Sequence, residues 1–131
     1  YLVGLIWVIQ LVHYPLMRYA AGNDFVAFEM AHTQRMGYVV MAPMLIELGT
    51  AALLVAMRPA AMPWWAAAAG LGLVLLAWAV TFGISVPQHN LLSQGWDAVA
   101  HERLVVTNWL RTVAWTARGA LVAWVAWRMM G

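Results

Sequence analysis

The sequence contains no cysteine and no lysine, and only 9% of its 131 residues are charged. Without cysteine the chain has no disulfides, no thiolate metal ligands and no cysteine nucleophile. A soluble domain carries about 25% charged residues, so this chain has too few to build a water-soluble surface. All seven cations are arginines, and they are scattered rather than clustered, which argues against nucleic-acid binding.

Apolar residues make up 65% of the chain and are concentrated in four segments. About 20 apolar residues suffice for a helix to cross the hydrocarbon core of a bilayer, and short connections make neighbouring helices antiparallel. The chain begins at Tyr1 inside the first segment, so we expect the natural chain to begin upstream. We predict helices at about residues 1–17, 25–57, 64–86 and 97–128.

These segments predict an all-α membrane protein, with residues 1–131 forming a single transmembrane domain. The expected architecture is an antiparallel bundle of four transmembrane helices whose main partner is the lipid bilayer. The arginine-only cations fit a GC-rich bacterial genome, and we therefore expect a bacterial inner membrane. Each half of the chain has a helix, a proline (Pro15 or Pro87), a polar connector and an acid–histidine pair. That likeness leaves a tandem two-helix repeat open.

All four histidines and four of the five acids fall near the end of the bundle where the first and third connections lie. Glu29 and His32 are spaced i, i+3 and share a helix face. Carboxylate-bridged di-iron bundles present two ligands from one helix with this spacing. Imidazole suits iron, copper and zinc. We predict an iron or copper site with His13, Glu29, His32, His89 and His101 as candidate ligands, supported by Asp97, Glu102 and Asn108.

Other interpretations of these polar residues stay open. They could only solvate the helix ends and bond to loop backbone. Glu47 lies well inside the second helix, where an ionised carboxylate needs a partner. Arg111 and Arg118 are the candidates, and we expect a structural ion pair between Glu47 and these arginines; an anion or proton site is the alternative.

Part of the chain resembles a known family. The stretch Pro87-Gln88-His89-Asn90, followed by Trp96, His101 and Asn108-Trp109-x-Arg111-Thr112, is similar to the anthrone-oxygenase-like family of small four-helix integral membrane proteins. The resemblance lies mainly in residues 87–112. It implies oxidation of a hydrophobic aromatic substrate by O₂ in the membrane. This chain is richer in histidine than that family, which favours a metal over cofactor-free chemistry.

Three functions follow as hypotheses. The first is a metal-dependent oxidoreductase, similar to an oxygenase, that acts on a hydrophobic small molecule. The second is a haem-binding membrane protein, in which two histidines on facing helices ligate the iron axially. The third is a non-catalytic accessory subunit of a larger membrane complex; association of the chain with copies of itself is also open.

Overall fold

Four helices make up nearly all of the computed structural model, which describes residues 1–130. They are α1 (Leu2–Ala20), α2 (Phe25–Ala56), α3 (Trp64–Leu92) and α4 (Ala98–Met130). No strand occurs within residues 1–130. The prediction of an all-α fold is confirmed. Three helices, α1, α2 and α3, are long and apolar enough to cross a membrane.

The fourth helix is as long as the second, but it is less apolar. Arg111 and Arg118 lie in its central part, and both side chains are turned into the bundle, where Arg111 is 5% exposed. The side of α4 that faces outward carries large hydrophobic residues instead, among them Val106, Leu110 and Val113. Part of the low hydropathy of α4 therefore comes from its buried face.

Pro15 and Pro87, near the predicted ends of the first and third helices, lie inside α1 and α3. The structure carries α1 to Ala20 and α3 to Leu92, past the predicted ends at residues 17 and 86. Pro15 and Pro87 each follow a π-helical segment, Ile9–His13 and Thr81–Ser85. Proline has no N–H, so in a regular α-helix the carbonyl four residues before it would lack a hydrogen-bond donor. In a π-helix a carbonyl bonds instead to the N–H five residues further on. The carbonyl four residues before each proline therefore does not need the proline N–H. As a result, His89 lies within α3.

The first and third connections meet at one end of the bundle. The rings of Phe25 and Trp96 pack edge to face there, with 5.0 Å between centroids. Asp97 caps α4, since its Oδ1 accepts hydrogen bonds from the N–H groups of Val99 (2.8 Å) and Ala100 (2.9 Å). Asp24 precedes α2 without such a bond. These contacts fix the starts of α2 and α4 beside each other.

The core joins all four helices. Ile6, Met44 and Leu104 are among its fully buried side chains. Gly119 lets α1 approach α4 closely, because a Cβ atom at this position would lie 2.9 Å from Cγ2 of Val3. The close contact holds α1 against α4 and so positions the polar residues near the other end of α1.

Candidate metal centre

Glu29 and His32 on α2 meet His89 on α3 inside the bundle. One potential ligand atom from each residue lies within 4.8 Å of the others. Glu29 is fully buried and His32 is 8% exposed. The i, i+3 spacing in α2 places Glu29 and His32 on one face, and the continuation of α3 beyond Pro87 brings His89 opposite them. Two imidazoles and one carboxylate are therefore grouped away from water.

His89 uses both ring nitrogens. Its Nδ1 lies 2.6 Å from Oε1 of Glu29, and its Nε2 lies 3.1 Å from the Tyr14 hydroxyl. The other carboxylate oxygen of Glu29, Oε2, is buried without a hydrogen-bond partner. Tyr14 is 2% exposed, so the ring of His89 is held from both sides by buried groups.

His32 uses only one ring nitrogen. Its Nδ1 lies 2.8 Å from Nε2 of His13, and the two rings are stacked with 4.5 Å between centroids. Its Nε2 is buried and has no partner. Metal-ligating histidines usually bond through their second nitrogen to a neighbouring group that fixes the ring. His13 and Tyr14 make such contacts to His32 and His89.

The donor set fits a divalent transition metal. Two histidines and one carboxylate with open positions are typical of non-haem Fe(II) oxygenases, and the same three residue types hold zinc in some hydrolases. A cation bound by Oε2 of Glu29 and Nε2 of His32 would give both atoms the partner that they lack. Buried polar atoms without partners cost free energy, and here two such atoms belong to the same group.

A cavity of about 200 Å³ adjoins this group. Tyr14, His32 and His89 form part of its wall, and most of the remaining lining is apolar. It opens to the outside of the bundle between α2 and α3, where the lining residues Met41 and Phe82 are exposed. The polar group is therefore reached from the side of the bundle.

A chain of hydrogen bonds continues from the cavity into the contact between α1 and α4. Arg111 donates to the Tyr14 hydroxyl (3.1 Å), to Thr81 Oγ1 (3.2 Å) and through Nε to Asn108 Oδ1 (2.9 Å). Asn108 in turn donates to Gln10 Oε1 (2.8 Å). The Tyr14 hydroxyl is therefore held between Arg111 and His89.

The structure brings together only part of the predicted ligand set. His13 is a neighbour of His32 rather than a member of the three-residue group. His101 lies apart from the group: its Nε2 donates to the Tyr14 carbonyl (2.8 Å), and its ring packs on Trp96. The buried carbonyl group holds this imidazole, so His101 positions α1 against α4.

The three predicted supporting residues have other roles. Asp97 caps the N-terminus of α4, and Glu102 is exposed on its first turns. Asn108 is fully buried, but it bonds to Gln10 and Arg111 rather than to the ligand group. None of these three side chains belongs to the group formed by Glu29, His32 and His89.

The expected ion pair of Glu47 involves one of the two arginines. Arg118 Nε lies 2.8 Å from Glu47 Oε1, and Trp115 Nε1 donates to Glu47 Oε2 (2.9 Å). The other candidate, Arg111, donates instead to Tyr14, Thr81 and Asn108. The pair joins α2 to α4 below the candidate metal centre.

Sequence reasoning missed Tyr14, Thr81 and Ser85 as site residues. Tyr14 follows His13 directly, but tyrosines are common in membrane helices. Thr81 and Ser85 begin and end the π-helical segment of α3, and no motif marks such a segment. Ser85 is 2% exposed and its hydroxyl has no partner.

Comparison with models of known protein families, with curated proteins and with solved structures finds no match to this chain.

Proposed function

We propose that this protein is a metal-dependent membrane oxidoreductase that holds one iron ion at Glu29, His32 and His89 and oxidises a hydrophobic substrate with O₂. One observation carries the proposal. Oε2 of Glu29 and Nε2 of His32 are both buried, both without partners and both in the group that contains His89. A cation would satisfy both atoms at once, whereas packing alone leaves them unpaired.

Iron is favoured over copper by the kind of ligand. Two imidazoles and a carboxylate leave several coordination positions open, as in non-haem Fe(II) oxygenases. When bound, iron would supply the activation of O₂, which is reduced as the substrate is oxidised. The chain's own residues hold the imidazoles in place, exclude water and bind the substrate. The resemblance of residues 87–112 to the anthrone-oxygenase-like family points to the same class of reaction.

The surroundings of the cavity support a substrate that arrives from the membrane. We propose that all four helices span the bilayer, with the outward hydrophobic face of α4 in contact with lipid. The cavity opens between α2 and α3 beside the exposed side chains of Met41 and Phe82. An apolar molecule dissolved in the bilayer could enter there without crossing water. The π-helical segment before the proline in both α1 and α3 favours a tandem repeat.

Haem is disfavoured by the short distances between the histidine rings. The rings of His13 and His32 are stacked 4.5 Å apart, and those of His32 and His89 are 5.2 Å apart. Axial ligands lie on opposite faces of a porphyrin, and no porphyrin fits between rings in direct contact. Iron bound directly by side chains is therefore the stronger proposal.

The test is elemental analysis of protein purified in a non-ionic detergent after expression with iron. We expect a single iron per chain, no Soret band in the absorption spectrum, and loss of the iron in Glu29→Gln. That variant keeps the size of the side chain and removes its charge. Glu102→Gln is the matched control, since Glu102 is an exposed carboxylate, and it should retain iron.

Two results would overturn the proposal. If the folded wild-type protein contains no more transition metal than the Glu29→Gln variant, the metal site is excluded. Stoichiometric zinc that iron cannot displace would exclude oxidation and leave hydrolysis. Co-purification with constant partners, with metal-free protein still active in the complex, would favour an accessory subunit.

A further inference from the structure

Arg111 is a buried cation without a counter-ion. It is 5% exposed, and its hydrogen-bond acceptors are the neutral oxygens of Asn108, Thr81 and Tyr14. Among residues 1–130, the ion pairs are His89–Glu29 and Arg118–Glu47, so no carboxylate reaches this guanidinium. A charge inside a membrane protein is expensive unless it is paired, and it commonly marks a site.

Arg118 provides an internal comparison. It lies on the same helix, seven residues further along, and it is paired with Glu47 at 2.8 Å. The fold thus supplies a carboxylate where an arginine serves to join helices. At Arg111 it supplies only neutral acceptors and the ring of Trp115, whose centroid is 5.9 Å from Cζ. A neutral side chain could join Asn108 to Tyr14 with no charge to bury. The charge of Arg111 therefore needs another explanation.

A second unpaired group lies in the same cavity. Ser85, on α3, is 2% exposed, and its hydroxyl has no partner. Both Ser85 and Arg111 line the cavity of about 200 Å³. Nη1 of Arg111 makes one hydrogen bond, to Thr81, although each Nη carries two N–H groups. One guanidinium N–H and one hydroxyl are thus free to bind an oxygen atom of a ligand.

We propose that the cavity binds an amphiphile whose head is a single anionic oxygen group, a carboxylate or a phenolate, with that group at Arg111 and Ser85. The rest of the ligand extends along the apolar wall formed by Met36, Val40 and Phe82 toward the opening between α2 and α3. This inference rests on the proposed function in one respect: it names the substrate class of the same cavity.

The placement of the head group also determines which part of the ligand reaches the metal centre. The Tyr14 hydroxyl lies 3.1 Å from Arg111 and 3.1 Å from His89 Nε2. A head group at Arg111 is therefore one side chain away from a metal ligand. The atoms next to the head, rather than the far end of the apolar part, lie nearest the centre. One guanidinium matches one negative charge, which favours a monoanion over a phosphate monoester.

The test measures binding without turnover. Trp115 lines the cavity, and bromine quenches tryptophan fluorescence on contact. Chelator-treated protein in a non-ionic detergent is titrated with dibromostearic acid and with its methyl ester, at a pH where the acid is ionised. A second pair, a ring-brominated nonylphenol and its methyl ether, distinguishes phenolate from carboxylate. We expect one ionised member to bind at least about tenfold more tightly than its neutral partner.

The variants assign this preference to the cavity. In Arg111→Gln the affinities for the anion and for its neutral partner should become about equal, while the neutral ester still binds. Arg103→Gln removes an exposed arginine from the same helix and should leave the preference unchanged. If Arg111→Gln does not fold, Ser85→Ala is used, and the preference should decrease severalfold.

Equal affinity of the wild-type protein for acid and ester, and for phenol and ether, would overturn the inference. A preference that survives in folded Arg111→Gln would do the same. Because the titration uses metal-free protein, its result does not depend on whether iron binds. A failed metal analysis with a positive titration would overturn the oxidoreductase and leave the anion site.

Discussion

His13 Nε2 lies 2.8 Å from His32 Nδ1, and this contact leaves His32 with only Nε2 to offer to a metal ion. The two residues are on different helices, α1 and α2, so the orientation of a candidate ligand depends on how those helices pack. In the proposed metal site His13 is thus a positioning residue, although its sequence context suggests a ligand.

Replacing His13 by alanine should weaken metal binding without abolishing it. The ring of His32 would lose its hydrogen bond and its stacking partner, and loss of such a neighbour typically lowers metal affinity about 10–100-fold. The affinity can be measured by competition with a chromophoric chelator. His101→Gln is the comparison, and it should bind metal with near wild-type affinity. Strong loss in His101→Gln would restore His101 to the ligand set.

Replacing Tyr14 by phenylalanine should destabilise the protein. The change removes a buried hydroxyl that bonds to both Arg111 and His89, and leaving buried polar partners unpaired costs about 1–3 kcal/mol. The free energy of unfolding in detergent measures the effect. Tyr19→Phe, at an exposed tyrosine, is the control and should be close to neutral. Equal free energies of unfolding for Tyr14→Phe and Tyr19→Phe would show that the Tyr14 hydroxyl does not stabilise the fold.

Breaking the Glu47–Arg118 pair should be costly. Both side chains are nearly buried, with 12% and 11% exposure, and removal of one partner from a buried pair typically costs about 3–5 kcal/mol. Glu47→Gln and Arg118→Met should each lower the free energy of unfolding, and the double variant should lose less than the sum of both. Metal content should be unchanged. Additive losses would mean that the two side chains do not interact in solution.

The lack of cysteine makes the membrane topology directly measurable. Single cysteines can be introduced at the exposed positions Asn23, Ala60 and Gln94, one in each connection. If α2 and α3 both cross the bilayer, a membrane-impermeant maleimide should label Asn23→Cys and Gln94→Cys from one side and Ala60→Cys from the other. Labelling of Ala60→Cys and Gln94→Cys from the same side would show that α3 does not cross.

The sequence alone was sufficient for what depends on composition and spacing. The length and apolar content of α2 and α3 predict helices, and the spacing of Glu29 and His32 places both on one face. The partner of Glu47 could also have been predicted, because α2 and α4 start at the same end of the bundle and residues equally far from those starts lie at the same depth. Glu47 lies 22 residues past the start of α2 and Arg118 lies 20 past the start of α4, whereas Arg111 lies only 13 past it.

The rest depends on local geometry that no sequence pattern reveals. A π-helical segment has more residues per turn than an α-helix, so the residues after it point in a different direction from the one that a count of 3.6 residues per turn predicts. Such a count therefore assigns residues of α1 and α3 to the wrong helix faces. This shift affects Tyr14 and His89 directly. His101 was misassigned for another reason: its acceptor is a backbone carbonyl, that of Tyr14, and every residue has one.

If a ligand enters the cavity between α2 and α3 from the bilayer, as we propose, its concentration has a different meaning for this protein. A ligand that enters from lipid is presented as a mole fraction of the membrane and not as an amount per volume of buffer. Added detergent or lipid should dilute it in two dimensions and slow its capture even when its total amount is fixed. The affinity of such a protein is therefore a property of the protein and its bilayer together.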